Sequence, residues 1–76
     1  MQEIHNYGDG YIAYYIGVGG STYDRKGTLH IIHHYELHKD GVLYKAYATG
    51  HPANSVSSFD KVGEDKAAIE IFKNFV

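Results

Sequence analysis

The five residues His34-Tyr35-Glu36-Leu37-His38 hold the side chains of this sequence that are best suited to chemistry. In an extended strand every second side chain points to the same face, so His34, Glu36 and His38 would share one face. Two histidines and one carboxylate are a ligand set that zinc and non-haem iron use. Three such positions span about 13 Å along a strand, however, which is too far for all three to reach one ion. We therefore expect no metal and no cofactor, and a His/Glu metal-binding protein is kept as a second alternative.

The rest of the sequence has no residue pattern that is typical of a catalytic site. The sequence has 76 residues and no cysteine, which excludes thiol chemistry and cysteine-type zinc sites. The glycine-rich stretch 17–21 lacks the third glycine of a phosphate-binding loop, and it leads into a strand rather than a helix. A chain of this length also leaves little volume for a pocket. We therefore expect a protein that is not an enzyme.

The dipeptide Asp40-Gly41 predicts the elements that position the histidines. Asp-Gly between two alternating runs is typical of a two-residue β-hairpin turn. The register that follows from this loop pairs His38 with Leu43, Leu37 with Tyr44, Glu36 with Lys45, Tyr35 with Ala46 and His34 with Tyr47. It separates a mostly apolar face from a mostly polar one, as a half-buried hairpin requires. His33 falls on the apolar face, where we expect a buried, hydrogen-bonded imidazole.

A third strand and a helix complete the predicted fold. The run YIAYYIGV (11–18) pairs with the hairpin if residues 24–27 form a loop, with a bulge or bend near residues 19–21. The expected pairs are Val18 with His33, Ile16 with Tyr35 and Tyr14 with Leu37. A turn-rich connection, residues 51–58, precedes a helix that has Asp60 as its N-cap. The apolar stripe predicted for this helix consists of Ala68, Ile69, Ile71, Phe72, Phe75 and Val76. We predict a single α+β domain, residues 1–76: a three-stranded antiparallel β-meander with one C-terminal α-helix packed on one face (β-β-β-α).

The face of the sheet opposite the helix, which we call the open face, is the expected contact surface. The binding residues predicted on it are Tyr11, Tyr15, His30, His34, Glu36, His38, Lys45 and Tyr47. Aromatic-rich surfaces with few charges are typical of protein contacts. We therefore expect a small non-catalytic protein-binding module that binds another protein, such as an accessory inhibitor or regulator of a phage or mobile element. A homodimer is compatible with the same surface.

Charge argues against nucleic acid as the partner. The formal net charge is −2, from seven Lys plus Arg and nine Asp plus Glu. Nucleic-acid-binding domains carry a concentrated basic footprint, whereas the open face offers essentially Lys45. Single-stranded nucleic acid stacked on the aromatic side chains is kept as the first alternative. The start of the chain does not resemble a signal peptide, and no apolar run is long enough to cross a membrane, so we expect a cytoplasmic protein without a membrane partner.

Overall fold

The computed structural model describes residues 1–52 and 61–76, which form a four-stranded antiparallel sheet and a C-terminal helix. The elements are β1 Gln2–Gly8, β2 Tyr11–Tyr23, β3 Leu29–Lys39, β4 Val42–Pro52, helix α1 Lys61–Phe72 and a 3₁₀ turn Lys73–Phe75. The strands follow one another across the sheet in the order β1-β2-β3-β4. The α+β class with one C-terminal helix is confirmed, but the predicted number of strands is wrong, because there are four and not three. Of the predicted connection, residues 51–58, the first two residues belong to β4. The remainder of the connection and the predicted N-cap Asp60 lie outside the described residues.

The additional strand is β1, which joins β2 through the dipeptide Asp9-Gly10. The φ angles of Asp9 and Gly10 are +55° and +86°, and two consecutive positive φ angles define the tight hairpin turn that Asp-Gly favours. β1 pairs with β2 with two register shifts, at Ile4 and at Tyr7, and the side chains of these two residues pack against the core. The same dipeptide therefore closes both the first and the last hairpin of the sheet.

The two Asp-Gly turns lie at the same end of the sheet and contact each other. The Asp40 N–H donates to the Gly10 carbonyl oxygen at 2.9 Å, and Lys39 Nζ donates to the carbonyl oxygen of Asp9. A Cβ atom at Gly10 would collide with the Asp40 carboxylate. Glycine is therefore required at position 10 both by the positive φ angle and by this close approach.

A bulge close to the β3–β4 turn changes the predicted register. Asp40 and Gly41 have φ angles of +52° and +83°, as the Asp-Gly signature predicts, and His38 pairs with Leu43 as expected. The next residue of β3, Leu37, pairs with Lys45, which leaves Tyr44 as an extra residue in β4. Because of this extra residue, every side chain of β4 beyond the bulge lies on the face of the sheet opposite to the predicted one.

Beyond the bulge, the predicted pairs of β3 and β4 are therefore wrong. Leu37 pairs with Lys45 and not Tyr44, Glu36 with Ala46 and not Lys45, Tyr35 with Tyr47 and not Ala46, and His34 with Ala48 and not Tyr47. Lys45 and Tyr47 consequently lie on the helix side of the sheet. The small side chains of Ala46 and Ala48 lie on the open face.

β2 has a similar irregularity between Tyr15 and Gly17. The predicted pair of Val18 with His33 is confirmed, and so is an irregularity near residues 19–21. Gly17 has a φ angle of +134°, which residues with a Cβ atom rarely adopt, so glycine permits the bulge at this point. The pairs predicted beyond it are wrong: Tyr35 pairs with Tyr15 and not Ile16, and Leu37 pairs with Ala13 and not Tyr14.

The core lies between the sheet and α1. Its fully buried apolar side chains are Ala13, Tyr35, Leu37, Ala68 and Phe72. Ala68 and Phe72 of the predicted apolar stripe are buried, whereas Phe75 and Val76 of the same stripe lie beyond α1 and are exposed. His33 is 4% exposed, as predicted, and its Nδ1 lies 3.1 Å from the Tyr15 hydroxyl oxygen.

Tyrosine hydroxyl groups connect the sheet to the helix. The Tyr35 hydroxyl donates to Asp65 Oδ1 at 2.8 Å, and the Tyr7 hydroxyl donates to the Ile69 carbonyl oxygen at 2.6 Å. Lys61 Nζ lies 2.8 Å from Asp65 Oδ2, one turn earlier in α1. A tyrosine ring can fill the core while its hydroxyl bonds a polar group, and this explains much of the tyrosine content of the chain.

Candidate functional site

The open face carries the histidines that the sequence suggested for chemistry. β3 has no extra residue between Leu29 and Lys39, so its even-numbered side chains alternate with the buried Tyr35 and Leu37. The open-face side chains of β3 are His30, Ile32, His34, Glu36 and His38. The structure therefore places four of the eight predicted binding residues on one face.

His38 and Glu36 form a hydrogen-bonded pair of side chains on the open face. His38 Nε2 lies 2.8 Å from Glu36 Oε1, and the His38 side chain is 14% exposed. The carboxylate oxygen is the acceptor of this hydrogen bond, and His38 Nε2 is the donor. The Tyr14 ring packs edge-on against the His38 ring, with centroids 4.8 Å apart. This arrangement fixes the orientation of the imidazole.

The other two histidines bond to acceptors of their own. His34 Nε2 donates to the Gly19 carbonyl oxygen at 2.6 Å, and His30 Nε2 lies 3.1 Å from Asp24 Oδ2. Hydrogen bonds, the first of them from the Thr28 N–H, lower the pKa of Asp24, so this carboxylate stays ionised and accepting. Within residues 1–52 and 61–76, no three His, Asp or Glu side chains come together in a group that could hold a metal ion.

Four of the predicted binding residues lie on the helix side instead: Tyr11, Tyr15, Lys45 and Tyr47. The Tyr15 ring lies 5.2 Å from the Tyr35 ring, and the Lys61 ammonium lies 4.0 Å from the Tyr15 ring centroid. The Tyr47 ring packs edge-on against Phe72, with centroids 6.3 Å apart. The prediction that Tyr15 and Tyr47 lie on the open face is therefore wrong, because the bulges of β2 and β4 turn these tyrosines toward the core.

A second surface, which we call the hairpin-end patch, lies beside the β3–β4 turn. It consists of Val42, Leu43, Tyr44, Phe75 and Val76, which are 68, 54, 47, 40 and 48% exposed. Leu43 pairs with His38 of the open face and Val42 pairs with Lys39 on the helix side, so the patch wraps around the end of β4. Lys45 Nζ lies 5.6 Å from the Tyr44 ring centroid and 5.0 Å from that of Phe75, so it connects the strand part of the patch to the C-terminal part. A signal for this surface is present in the sequence, because three consecutive apolar residues follow the turn and a strand buries only alternate side chains.

Lysines and aromatic rings alternate around the hairpin-end patch. Lys39 Nζ lies 4.4 Å from the Tyr11 ring centroid, and Tyr11 packs edge-on against Tyr44 with centroids 5.9 Å apart. Asp40 Oδ2 lies 3.7 Å from Lys39 Nζ, so one of the two lysines is partly balanced by a carboxylate. The surface combines exposed apolar area with cations at its margin.

The tyrosine hydroxyls at the interface between sheet and helix are structural donors. Burial raises the pKa of Tyr35, and the hydrogen bond to Asp65 raises it further. Burial, followed by the charge of Glu70, raises the pKa of Tyr7. Both hydroxyls therefore keep their protons at neutral pH and donate to the helix.

Comparison with known proteins gives no relative from which a function could be transferred. The chain matches no family model, no curated protein and no solved structure. Among the helices of the described residues, none has the length and apolar character needed to cross a membrane.

Proposed function

We propose that this chain is a small non-catalytic protein-binding module and that the hairpin-end patch is its contact surface. The observation that carries the proposal is the exposure of Val42, Leu43 and Tyr44, which are consecutive and 68, 54 and 47% exposed. Among the described residues, five apolar side chains are buried in the core, whereas these three remain exposed to water. Contiguous exposed apolar surface on a soluble protein commonly marks a contact with another protein.

The chemistry of the patch indicates what kind of protein surface would fit it. Leu43, Tyr44 and Phe75 supply apolar and aromatic area, and aromatic side chains are frequent among the residues that dominate binding energy. Lys45 lies over two of these rings, and Lys39 lies over the neighbouring Tyr11. The complementary partner surface therefore has an apolar centre and carboxylates at its rim. An inhibitor or regulator that covers a surface of another protein would use such a patch.

The experiment that tests the proposal places a photo-crosslinking amino acid at Leu43, at Ala48 on the open face, and at Val62 on the exposed side of α1. Val62 is 63% exposed and serves as the matched apolar control. Each chain is irradiated in nuclease-treated lysate of the source cells, and the adduct is identified and purified. We expect one protein adduct from position 43 and none from position 62.

Binding to the purified partner is then measured by calorimetry. Tyr44→Ala should weaken binding at least about tenfold, as expected for an aromatic residue at the centre of an interface, and Val62→Ala should leave it unchanged. An adduct formed from position 48 alone, or equal affinity of the Tyr44→Ala and parent chains, would contradict the proposal. Crosslinks to nucleic acid that nuclease removes would favour the single-stranded nucleic-acid alternative.

A further inference from the structure

The two edges of the sheet differ in regularity. β1 is one edge, with seven residues and two register shifts against β2. β4 is the other edge, with eleven residues, and its single register shift lies near its start. From Lys45 to Pro52, β4 pairs with β3 without interruption. Among the described residues, no strand pairs with the outer side of this regular segment.

The regular edge of β4 can pair with another strand. Strand edges present unpaired N–H and C=O groups, and proteins discourage pairing there with bulges, prolines and charges. In the segment between Lys45 and Pro52, no Asp, Glu, Lys or Arg occurs. The open-face residues Ala46 and Ala48 are small and exposed, so they leave room for a neighbouring strand.

We propose that β4 pairs antiparallel with β4 of a second copy of this chain and forms a continuous eight-stranded sheet. A two-fold axis perpendicular to the sheet keeps both helices on the same side of the sheet. Two residues that pair across this axis then have their side chains on the same face of the sheet. An axis at Lys45 would bring two ammonium groups together. An axis at Tyr47 avoids this contact, because it places Lys45 opposite Thr49, and it keeps the paired residues within the regular segment of β4.

The axis at Tyr47 also gives favourable neighbours on either side. Ala46 lies opposite Ala48 of the second copy on the open face, where neither side chain obstructs the other strand. The pairing joins residues 45–49 of one copy to the same residues of the second copy. It ends at the bulge, where Tyr44 leaves the regular register of β4.

The same geometry explains why association stops at two chains. A two-fold axis uses the β4 edge of both copies, and the edges that remain are the two β1 strands. Each β1 is short and interrupted at two places, which makes it a poor template for another strand. The expected species is therefore a closed dimer and not a fibre.

Sedimentation equilibrium from micromolar to millimolar concentration tests the proposal. The parent chain should approach twice its mass of 8.5 kDa as the concentration rises. Ala46→Lys/Ala48→Lys places like charges opposite each other and should weaken the dimer at least about tenfold. The matched control, Val62→Lys/Ala67→Lys, adds the same charge to exposed positions of α1 and should dimerise like the parent chain.

A charge-swap experiment separates a lost interface from a damaged fold. The Ala46→Glu/Ala48→Glu chain should be monomeric alone and should form a heterodimer when mixed with the Ala46→Lys/Ala48→Lys chain. Far-UV circular dichroism checks that both variants are folded. A parent chain that stays monomeric at millimolar concentration, a lysine variant that dimerises like the parent chain, or a mixture that stays monomeric would each overturn the proposal.

Discussion

Replacing Tyr47 by alanine should destabilise the fold much more than replacing Tyr44, although both tyrosines belong to β4. Removing a fully buried aromatic side chain costs about 3–5 kcal/mol. Tyr47 is half-buried and packs against Phe72 and Tyr35, so we expect a loss of about 2 kcal/mol in the free energy of unfolding. Tyr44 is 47% exposed and has one ring contact, with Tyr11, so its loss should cost about 0.5 kcal/mol.

Urea unfolding followed by far-UV circular dichroism measures both variants without relying on tyrosine fluorescence. The dependence of the unfolding free energy on urea should stay the same, because neither change alters the surface exposed on unfolding by much. Tyr23, which is 70% exposed, provides a control that should lose almost nothing on replacement by alanine. A hairpin without the bulge would bury Tyr44 and expose Tyr47. A larger loss for Tyr44→Ala than for Tyr47→Ala would therefore refute the observed register.

Two further predictions concern the helix contact and the paired turns. Tyr35→Phe should lower the free energy of unfolding by about 1.5 kcal/mol, because Asp65 loses a hydrogen bond. Folding raises the pKa of Tyr35 above its ordinary value of 10.0, so this residue's contribution is complete below pH 10 and is lost as the pH rises further. Urea titrations at increasing pH should show a steeper alkaline loss for the parent chain than for Tyr35→Phe, and equal slopes would contradict this. Gly27→Ala should lower the free energy of unfolding by roughly 1–2 kcal/mol, the strain of a left-handed residue, because a Cβ atom there has no neighbour within 4 Å. Gly10→Ala should lower it by more, because a Cβ atom at position 10 also meets Asp40. Equal losses in thermal or urea unfolding would show that the turn contact contributes nothing.

The turns of this fold can be predicted from the sequence, because their chemistry is local. Asp40-Gly41 satisfies a turn that needs two positive φ angles, and no distant residue has to be known. The dipeptide Asp9-Gly10 carries the same signal and predicts β1 by the same reasoning, although that strand was not expected. The burial of His33 and the apolar stripe of α1 also follow from periodicity alone.

Which side chains of β2 and β4 face the core could not be predicted from the sequence, because tyrosine suits both sides of a sheet. Its ring is apolar enough for the core and its hydroxyl is polar enough for the surface, so Tyr14 and Tyr15 satisfy the pattern equally well in either orientation. Gly17 marks the bulge of β2, but Tyr44 gives no such indication in β4. A one-residue error in each strand was enough to move Tyr15 and Tyr47 from the core to the expected contact surface.

The bulge at Tyr44 also determines where β4 can change in length. Leu43 and Lys45 already pair with adjacent residues of β3, His38 and Leu37. A related chain without the residue at position 44 would keep every later side chain of β4 on its present face. A deletion at any position from 46 to 51 would instead reverse the orientation of every side chain of β4 that follows it. Side chains that now face the core would then face solvent. Single-residue insertions and deletions among relatives of this chain should therefore concentrate at position 44.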